Sequence, residues 1–260
     1  MKKLMMKIIQ KDAYYVSEKM AFINSHLINT ACLHKETFGP YKNYCGGEKD
    51  IVVCAAGPSL NKYEPIEGAI HIAVNRSFLF DKVKFDFILA QDFDGIKMVQ
   101  NELVNYSSSC VKFLGTQGGS KKEIPESLRI RAAAKKFDTD WYMPGDGTSG
   151  NITVDIENMP LCNMMNVGQS VMQLALYMNP RRIYIVGCDL SGNHFATGNQ
   201  TGEEIAKQAA LMELEWKRDM EIILRRWKEI KEFAETNYPD TEIISINPIG
   251  LKGLFKDIYQ

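Results

Sequence analysis

Six short apolar runs recur along the sequence, and a polar loop follows most of them directly. They are Ile51–Ala56, Ile70–Val74, Phe85–Ala90, Val111–Leu114, Ile183–Val186 and Ile243–Ile246. Each run is too short for a typical helix, and continuous apolar runs of this length are typical of strands that are buried on both faces. Such strands occur in parallel sheets that helices cover, so the runs predict an α/β fold.

Helical patterns alternate with the later strands. The apolar residues of 171–178 share one helical face, and Pro180 ends that pattern. A longer apolar stripe over 203–235 includes Trp216 and Trp227, which lie either in the core or at a subunit interface of a homo-oligomer. We therefore predict a Rossmann-like fold, in which helices flank a mostly parallel, twisted sheet.

The chain divides into three regions by composition. Residues 49–260 carry all six apolar runs and are expected to form the nucleotide-binding domain. Residues 1–48 are expected to be an N-terminal extension that packs on this core. Within the domain, residues 115–160 are rich in Gly, Lys, Asp, Ser and Thr, which favours a polar lid or a small inserted segment.

Composition excludes several classes of protein. The formal net charge of −1 over 260 residues gives no global attraction to nucleic acid. No run approaches the ~18 apolar residues of a membrane span, which leaves only peripheral membrane contact. The six cysteines form no Cys-x-x-Cys pair, so we expect reduced thiols and a cytoplasmic protein.

The loop after the first strand is the leading candidate for a ligand site, because α/β sheets bind ligands at the carboxyl ends of their strands. Gly57 permits a sharp turn and close approach of a ligand. Pro58 suits a helix start, and Ser59 offers a hydroxyl beside backbone N–H groups that we expect to be free for an anion. The alternative is a strand-to-helix turn in which Ser59 is a cap.

Polar residues also follow the second and third strands. Asn75 can hydrogen-bond a base, a ribose or a phosphate, and Arg76 can pair with a phosphate, unless both lie in a solvated loop. Asp92 and Asp94 can share a divalent cation such as Mg²⁺ or Mn²⁺ with a diphosphate. Aspartates at such positions also cap turns very often.

The loop after the fifth strand contains Gly187, Asp189, Ser191 and His194. Asp189 can bind ribose hydroxyls or a metal ion. His194 can act as a general acid or base, although a lone histidine in a polar loop is more often a surface residue. Two glycines and a lysine in 247–253 either close a phosphate pocket or form a C-terminal turn.

Several of these segments resemble the bacterial sialyltransferases that modify lipooligosaccharide. The resemblance includes residues 54–60, the strand that ends at Asn75, residues 168–175, and the Gly187 and Asp189 strand end. It extends to Ser245-Ile246-Asn247-Pro248 near the C-terminus. The same segments resemble the related 6-hydroxymethylpterin diphosphokinase (MptE-like) domains, whose pattern has an acidic residue near the position of Gln91-Asp92.

The resemblance implies that Gly57, Pro58, Ser59 and Asn75 hold the cytidine monophosphate (CMP) part of a sugar donor. Ala56 stands where the sialyltransferases have a donor-binding Asn, and His194 is a replacement candidate for their catalytic His. Asp189 and His194 are the predicted catalytic residues. The predicted nucleotide-binding residues are Gly57, Pro58, Ser59, Asn75, Arg76, Asp92, Gly168, Gly187 and Ser191.

The predicted function is a glycosyltransferase that acts in surface glycan biosynthesis. Its substrates would be a nucleotide-activated sugar, of the CMP-sialic-acid (nonulosonate) type, and a glycan acceptor. One alternative is an ATP-dependent diphosphokinase of the MptE-like type. The other is a nucleotide-binding protein that has lost catalytic activity.

Overall fold

A computed structural model of the 260-residue chain gives its architecture. The residues that the structure describes are 34–91, 96, 99–115, 126–145, 152–162, 166–190 and 221–258.

Eight strands form one sheet in this part of the chain. Their bounds are Asp50–Cys54 (β1), Ile70–Val74 (β2), Phe87–Ala90 (β3), Val111–Leu114 (β4), Asp140–Trp141 (β5), Arg182–Val186 (β6), Glu242–Ser245 (β7) and Lys256–Asp257 (β8). The strand order is β5-β4-β3-β2-β1-β6-β7-β8, and every pairing is parallel. The predicted Rossmann-like α/β fold is therefore confirmed.

Helices cover both faces of the sheet. They comprise residues 34–38 (α1), Gln100–Val104 (α2), Glu126–Lys136 (α3), Val167–Tyr177 (α4) and residues 221–237 (α5). Short 3-10 helices occupy Gly39–Tyr41, Pro58–Lys62 and Asn75–Leu79. The α4 helix matches the predicted apolar pattern before Pro180.

Alternate residues of each strand enter two separate cores. Ile51 and Val53 of β1 face a core that includes α4 and the Trp227 side chain of α5. Val52 and Cys54 face the opposite core, with Leu60 and α3. Alternation of this kind is expected of a strand that is buried on both faces. Trp227 is a core residue, whereas Trp216 lies outside the described residues.

The two faces correspond to the two directions in which the chain crosses the sheet. From β1 to β5 each new strand is added on the β2 side, and the helices of these connections lie on one face. From β5 the chain crosses to the other side of β1, and α4 and α5 lie on the opposite face. Right-handed crossovers require this change of face when the direction of strand addition reverses.

The described part of the N-terminal extension packs on the core. Phe38 is fully buried. The turn that follows is hydrogen-bonded to the end of α4, through Cys45 N–H to the Met178 carbonyl and Gly47 N–H to the Asn179 carbonyl, both 2.8 Å. The boundary of this extension at residue 48 remains a prediction.

The expected lid over 115–160 is partly built into the sheet. Residues 126–145 contribute α3 and the edge strand β5. The apolar residues Ile130, Ala133 and Ala134 are buried on one side of α3, and Phe137 is buried directly after it, which fixes this helix on the core. Residues 152–162 are held on α4 by Gln173. Its Nε2 donates to the Cys162 carbonyl at 3.0 Å, and its Oε1 accepts from the Cys162 N–H at 3.2 Å. For the other residues of 115–160, a lid role remains a prediction.

Two further expectations concern membranes and thiols. Among the described helices, none is both long and apolar enough to cross a membrane. Five cysteines are free thiols (Cys45, Cys54, Cys110, Cys162 and Cys188), while Cys32 lies in the undescribed N-terminal part. Burial raises the pKa of the Cys45 thiol to about 11, so this thiol stays protonated and unreactive.

Candidate functional site

The direction of strand addition reverses between β1 and β6. The chain adds β2 on one side of β1 and later adds β6 on the other side, and the loops that follow β1 and β6 meet at this reversal point. In open α/β sheets this reversal point is where ligands bind. Residues 55–59 follow β1 and residues 187–190 follow β6, which brings two of the predicted motifs to one place.

Ser59 and Asp189 are in direct contact across this reversal point, although 130 residues separate them in sequence. The Ser59 N–H donates to Asp189 Oδ2 at 2.6 Å, and the Ser59 hydroxyl donates to Asp189 Oδ1. Ser59 is 3% exposed and Asp189 is 4% exposed. A buried carboxylate needs hydrogen-bond donors, and Ser59 supplies one to each carboxylate oxygen.

Three glycines allow the loops at this point to approach backbone to backbone. A Cβ atom on Gly57 would lie 2.5 Å from the Gly187 carbonyl oxygen, and one on Gly187 would lie 2.2 Å from the Ala55 carbonyl oxygen. Gly187 also has a φ of +73°, in the left-handed region that favours glycine. A Cβ atom on Gly250, after β7, would lie 2.5 Å from the Asp189 carbonyl oxygen.

The expectation of free N–H groups in the Gly57–Leu60 loop is wrong. Gly57 N–H donates to the Gly187 carbonyl at 2.7 Å, and Leu60 N–H donates to the Gly57 carbonyl at 3.1 Å. Pro58 has no N–H, and the Ser59 donors are used by Asp189. The carboxylate of Asp189 therefore occupies the anion position that the sequence suggested for a phosphate. A phosphate contact by Ser59 remains a prediction, and it requires release of Asp189.

A second polar group lies at the carboxyl ends of β2, β3 and β5. Asn75 has a φ of +51°, and its Oδ1 accepts a hydrogen bond from the Gln91 N–H at 2.9 Å. The Gln91 Oε1 in turn accepts from the Tyr142 hydroxyl at 3.0 Å. Burial raises the pKa of the Tyr142 phenol well above its ordinary value, and a hydrogen bond with Ser170 offsets part of this rise. Tyr142 is therefore neutral at any ordinary pH.

Ser77 connects these two groups. Its hydroxyl accepts from the Val74 N–H at 2.8 Å and donates to the Cys54 carbonyl at 2.6 Å. This contact joins the last residue of β1 to the last residue of β2. It therefore fixes the Asn75 turn relative to the loop that carries Gly57.

The remaining predicted residues of the described chain lie near this edge. Arg76 is half-buried in the 3-10 helix that follows β2. Gly168 lies in the first turn of α4, and its N–H donates to the Asn166 side chain at 2.7 Å. A Cβ atom on Gly168 would lie 2.8 Å from Asn166 Oδ1 and 3.1 Å from the Trp227 ring, so a larger residue there would displace the Asn166 side chain. The places of Arg76 and Gly168 in the fold do not show whether either residue binds a ligand, so both roles remain predictions.

Asp92, Asp94, Ser191 and His194 lie outside the described residues. Their predicted roles in metal binding, nucleotide binding and catalysis therefore remain predictions. Within the described ranges, no group of three His, Cys, Asp or Glu side chains has the arrangement of a metal site.

Gln91, Tyr142 and Ser77 are polar residues of this edge that the sequence analysis did not select. Gln91 directly follows an apolar run, and that position is the signal that could have identified it. Tyr142 gave no such signal, because the two-residue strand β5 was not predicted.

The space around the site is distributed unevenly. Between the ends of β6 and β7, a cavity of about 10 Å³ is bounded by Asp189, Ser245 and Pro248, and it holds at most one water molecule. A groove of about 960 Å³ lies elsewhere, at the amino ends of β4 and β5, beside Lys112 and Asp140. That groove contains none of the predicted site residues, and parallel sheets carry their chemistry at the opposite end. The β6–β7 rim is thus closely packed.

No protein-family model matches the chain, and no curated protein is significantly similar to it. Among solved structures, it is similar to the sialyltransferase CstII from Campylobacter jejuni in complex with cytidine-5'-monophosphate. The identity is 13%, the match covers 76% of this chain and 79% of that chain, and the TM-score is 0.43. For the same enzyme with CMP-3FNeuAc, the identity is 12%, the coverage 82% and 86%, and the TM-score 0.45. Similarity at this level assigns neither function nor substrate, and the fold assignment rests on the order of the strands.

Proposed function

We propose that this protein is a glycosyltransferase that uses a nucleotide-activated sugar of the CMP-nonulosonate type. The observation that carries the proposal is the contact of Ser59 with Asp189 at the reversal point of the sheet. Two of the segments that resemble sialyltransferases, the Gly57–Leu60 loop and the Gly187–Asp189 strand end, meet there, at the position where α/β sheets bind nucleotides. Nothing in their separation along the chain requires this meeting.

In this proposal, the donor lies over the ends of β1, β2 and β3. Between β6 and β7 the described residues enclose a cavity of only about 10 Å³, whereas Asn75, Arg76 and Gln91 follow the strands on the other side of β1. Electrostatics favours the same side for the phosphate. At an effective dielectric constant of about 20, a unit negative charge about 5 Å from the Asp189 carboxylate is repelled by ~3 kcal/mol. The phosphate is therefore expected beside Arg76 rather than on Ser59.

The reaction joins an acceptor hydroxyl to the anomeric carbon of the donor sugar. The new carbon–oxygen bond forms as the bond between the anomeric carbon and the CMP phosphate oxygen breaks, and CMP leaves with that electron pair. The hydroxyl proton passes to a base, for which His194 is the candidate. Burial of Asp189 and its two hydrogen bonds from Ser59 favour a positioning role for this carboxylate. A divalent cation on Asp92 and Asp94 would stabilise the leaving phosphate.

Thermal denaturation with nucleotides tests the proposal. A ligand at 100 times its Kd stabilises the folded state by about 2.7 kcal/mol, which corresponds to a rise in Tm of roughly 5–10 °C for a protein of this size. We expect this rise with CMP in the absence of a divalent cation. A rise only with ATP and Mg²⁺ would favour the diphosphokinase alternative, and no rise with any nucleotide would contradict the proposal. Substitution His194→Ala should then abolish turnover and retain CMP affinity.

A further inference from the structure

The Tyr142 hydroxyl makes a contact that packing alone does not require. Tyr142 is fully buried, in the core that contains Phe38 and Phe113. Its ring lies so close to Gly115 that a Cβ atom there would be 2.2 Å from it. A phenylalanine would fill nearly the same volume without the cost of burying a hydroxyl. The hydroxyl therefore matters for its hydrogen bonds, which are with Ser170 and with Gln91, the partner that accepts its proton.

The partner is a half-buried side chain at the carboxyl edge of the sheet. Gln91 directly follows β3, and its N–H is bonded to Asn75 Oδ1 at 2.9 Å. Its side-chain oxygen accepts the Tyr142 proton at 3.0 Å. An amide whose oxygen is engaged in this way presents its NH₂ group as a donor in a fixed orientation. Gln91 lies beside Asn75, on the β2 and β3 side of β1.

We propose that Tyr142 is a positioning residue that orients the Gln91 amide, so that its NH₂ group donates to an oxygen atom of the bound nucleotide. The inference rests on the proposed function, because it takes a CMP-type nucleotide as the ligand at this edge. Tyr142 itself does not touch the ligand. Its effect passes through one hydrogen bond, from the residue that follows β5 to the residue that follows β3.

Calorimetric titration with CMP tests the inference in four variants of the full chain, each compared with the wild type. The single variants are Y142F and Q91M, the third form is their double variant, and Y177F is the matched control. Tyr177 is also buried, and its hydroxyl donates to the Glu157 side chain at 2.7 Å. Unlike Tyr142, Tyr177 lies at the end of α4 that faces the amino ends of the strands. Loss of one hydrogen bond corresponds to an affinity loss of roughly three- to tenfold.

We expect Y142F and Q91M each to weaken CMP binding by roughly this factor, whereas the double variant binds no more weakly than Q91M. Non-additivity of this kind shows that the two residues act as one unit. Y177F should lower the Tm and leave the CMP affinity unchanged. Equal affinities of Y142F and the wild type, or additive losses in the double variant, would overturn the inference.

A second measurement does not depend on nucleotide binding. In a ¹⁵N spectrum, the side-chain NH₂ resonances of Gln91 are assigned by their loss in Q91M. They should shift in Y142F and stay in place in Y177F, and unchanged resonances in Y142F would refute the orienting role. A wild-type chain that binds no nucleotide would overturn the proposed function, whereas wild-type binding with unaltered Y142F affinity would overturn this inference alone.

Discussion

Substitution Ser59→Ala should destabilise the protein through Asp189. The hydroxyl of Ser59 is a donor to a carboxylate that is 4% exposed, and no solvent can replace it without opening the loop. After the substitution, Asp189 keeps the N–H bond to Oδ2 but loses the donor to Oδ1. Hydrogen bonds to charged groups contribute ~1.5–3 kcal/mol, and an unsatisfied buried acceptor adds to the cost. The expected loss in the free energy of unfolding is therefore about 2 kcal/mol.

Chemical denaturation with urea measures this loss, and it should be accompanied by a fall in Tm of about 4–8 °C. The control is Ser109→Ala, which removes an exposed hydroxyl bonded to Ser107 at 2.8 Å and should change stability by less than about 0.5 kcal/mol. In a double-mutant cycle of S59A with D189A, the coupling energy should exceed about 1 kcal/mol. Equal losses for S59A and S109A, or additive effects of S59A and D189A, would refute the assignment of Asp189 as the partner of Ser59.

Two further predictions concern glycine packing and pH. At Gly187 the φ angle is positive, and the Cβ atom of an alanine would also lie 2.2 Å from the Ala55 carbonyl oxygen. Gly46 has a φ of +59°, but the space around it is open. In thermal melts we expect a loss of about 1 kcal/mol for G46A and more than about 3 kcal/mol for G187A, and equal losses would show that the clash is relieved. Burial lowers the pKa of His34 from 6.5 to about 4, so the unfolded chain binds more protons, and stability is lost as pH falls from 6.5 towards 4. The loss reaches about 3 kcal/mol at 1.36 kcal/mol per pKa unit, and His34→Gln should reduce this pH dependence in urea titrations at pH 7, 5 and 4.

The strands were largely predictable, and the exceptions have a physical explanation. All six predicted runs overlap observed strands, because a strand that is buried on both faces must be apolar at nearly every position. The two missed strands, β5 and β8, contain two residues each and lie at the edges of the sheet. Edge strands need no continuous apolar run, and Asp140 and Lys256 are exposed. The α3 helix was not predicted because it lies in a polar segment, although the apolar residues on its buried side recur at helical spacing.

The position of the described candidate residues on the sheet was predictable, whereas their contacts were not. The carboxyl-edge rule placed Gly57, Ser59, Asn75 and Asp189 on one rim, and the structure brings the Gly57 loop and the β6 loop into contact. The rule does not say which acceptor a serine hydroxyl selects. That choice depends on whether two loops approach within hydrogen-bond distance, and the pattern of apolar residues is unaffected by such an approach. For this reason the Ser59–Asp189 pair appeared in the sequence as two separate ligand candidates.

Glycine is the signal that could have revealed this contact. Gly57, Gly187 and Gly250 follow three neighbouring strands, β1, β6 and β7, and each lies where a Cβ atom would be within 2.5 Å of a backbone oxygen in an adjacent loop. A single glycine after a strand is equally consistent with a turn or with ligand approach. Three glycines that follow adjacent strands favour loops packed against one another, because one ligand would not need close approach to the backbone at all three. Such packing favours the other side of β1, where Asn75 and Gln91 lie, as the place of the proposed donor site.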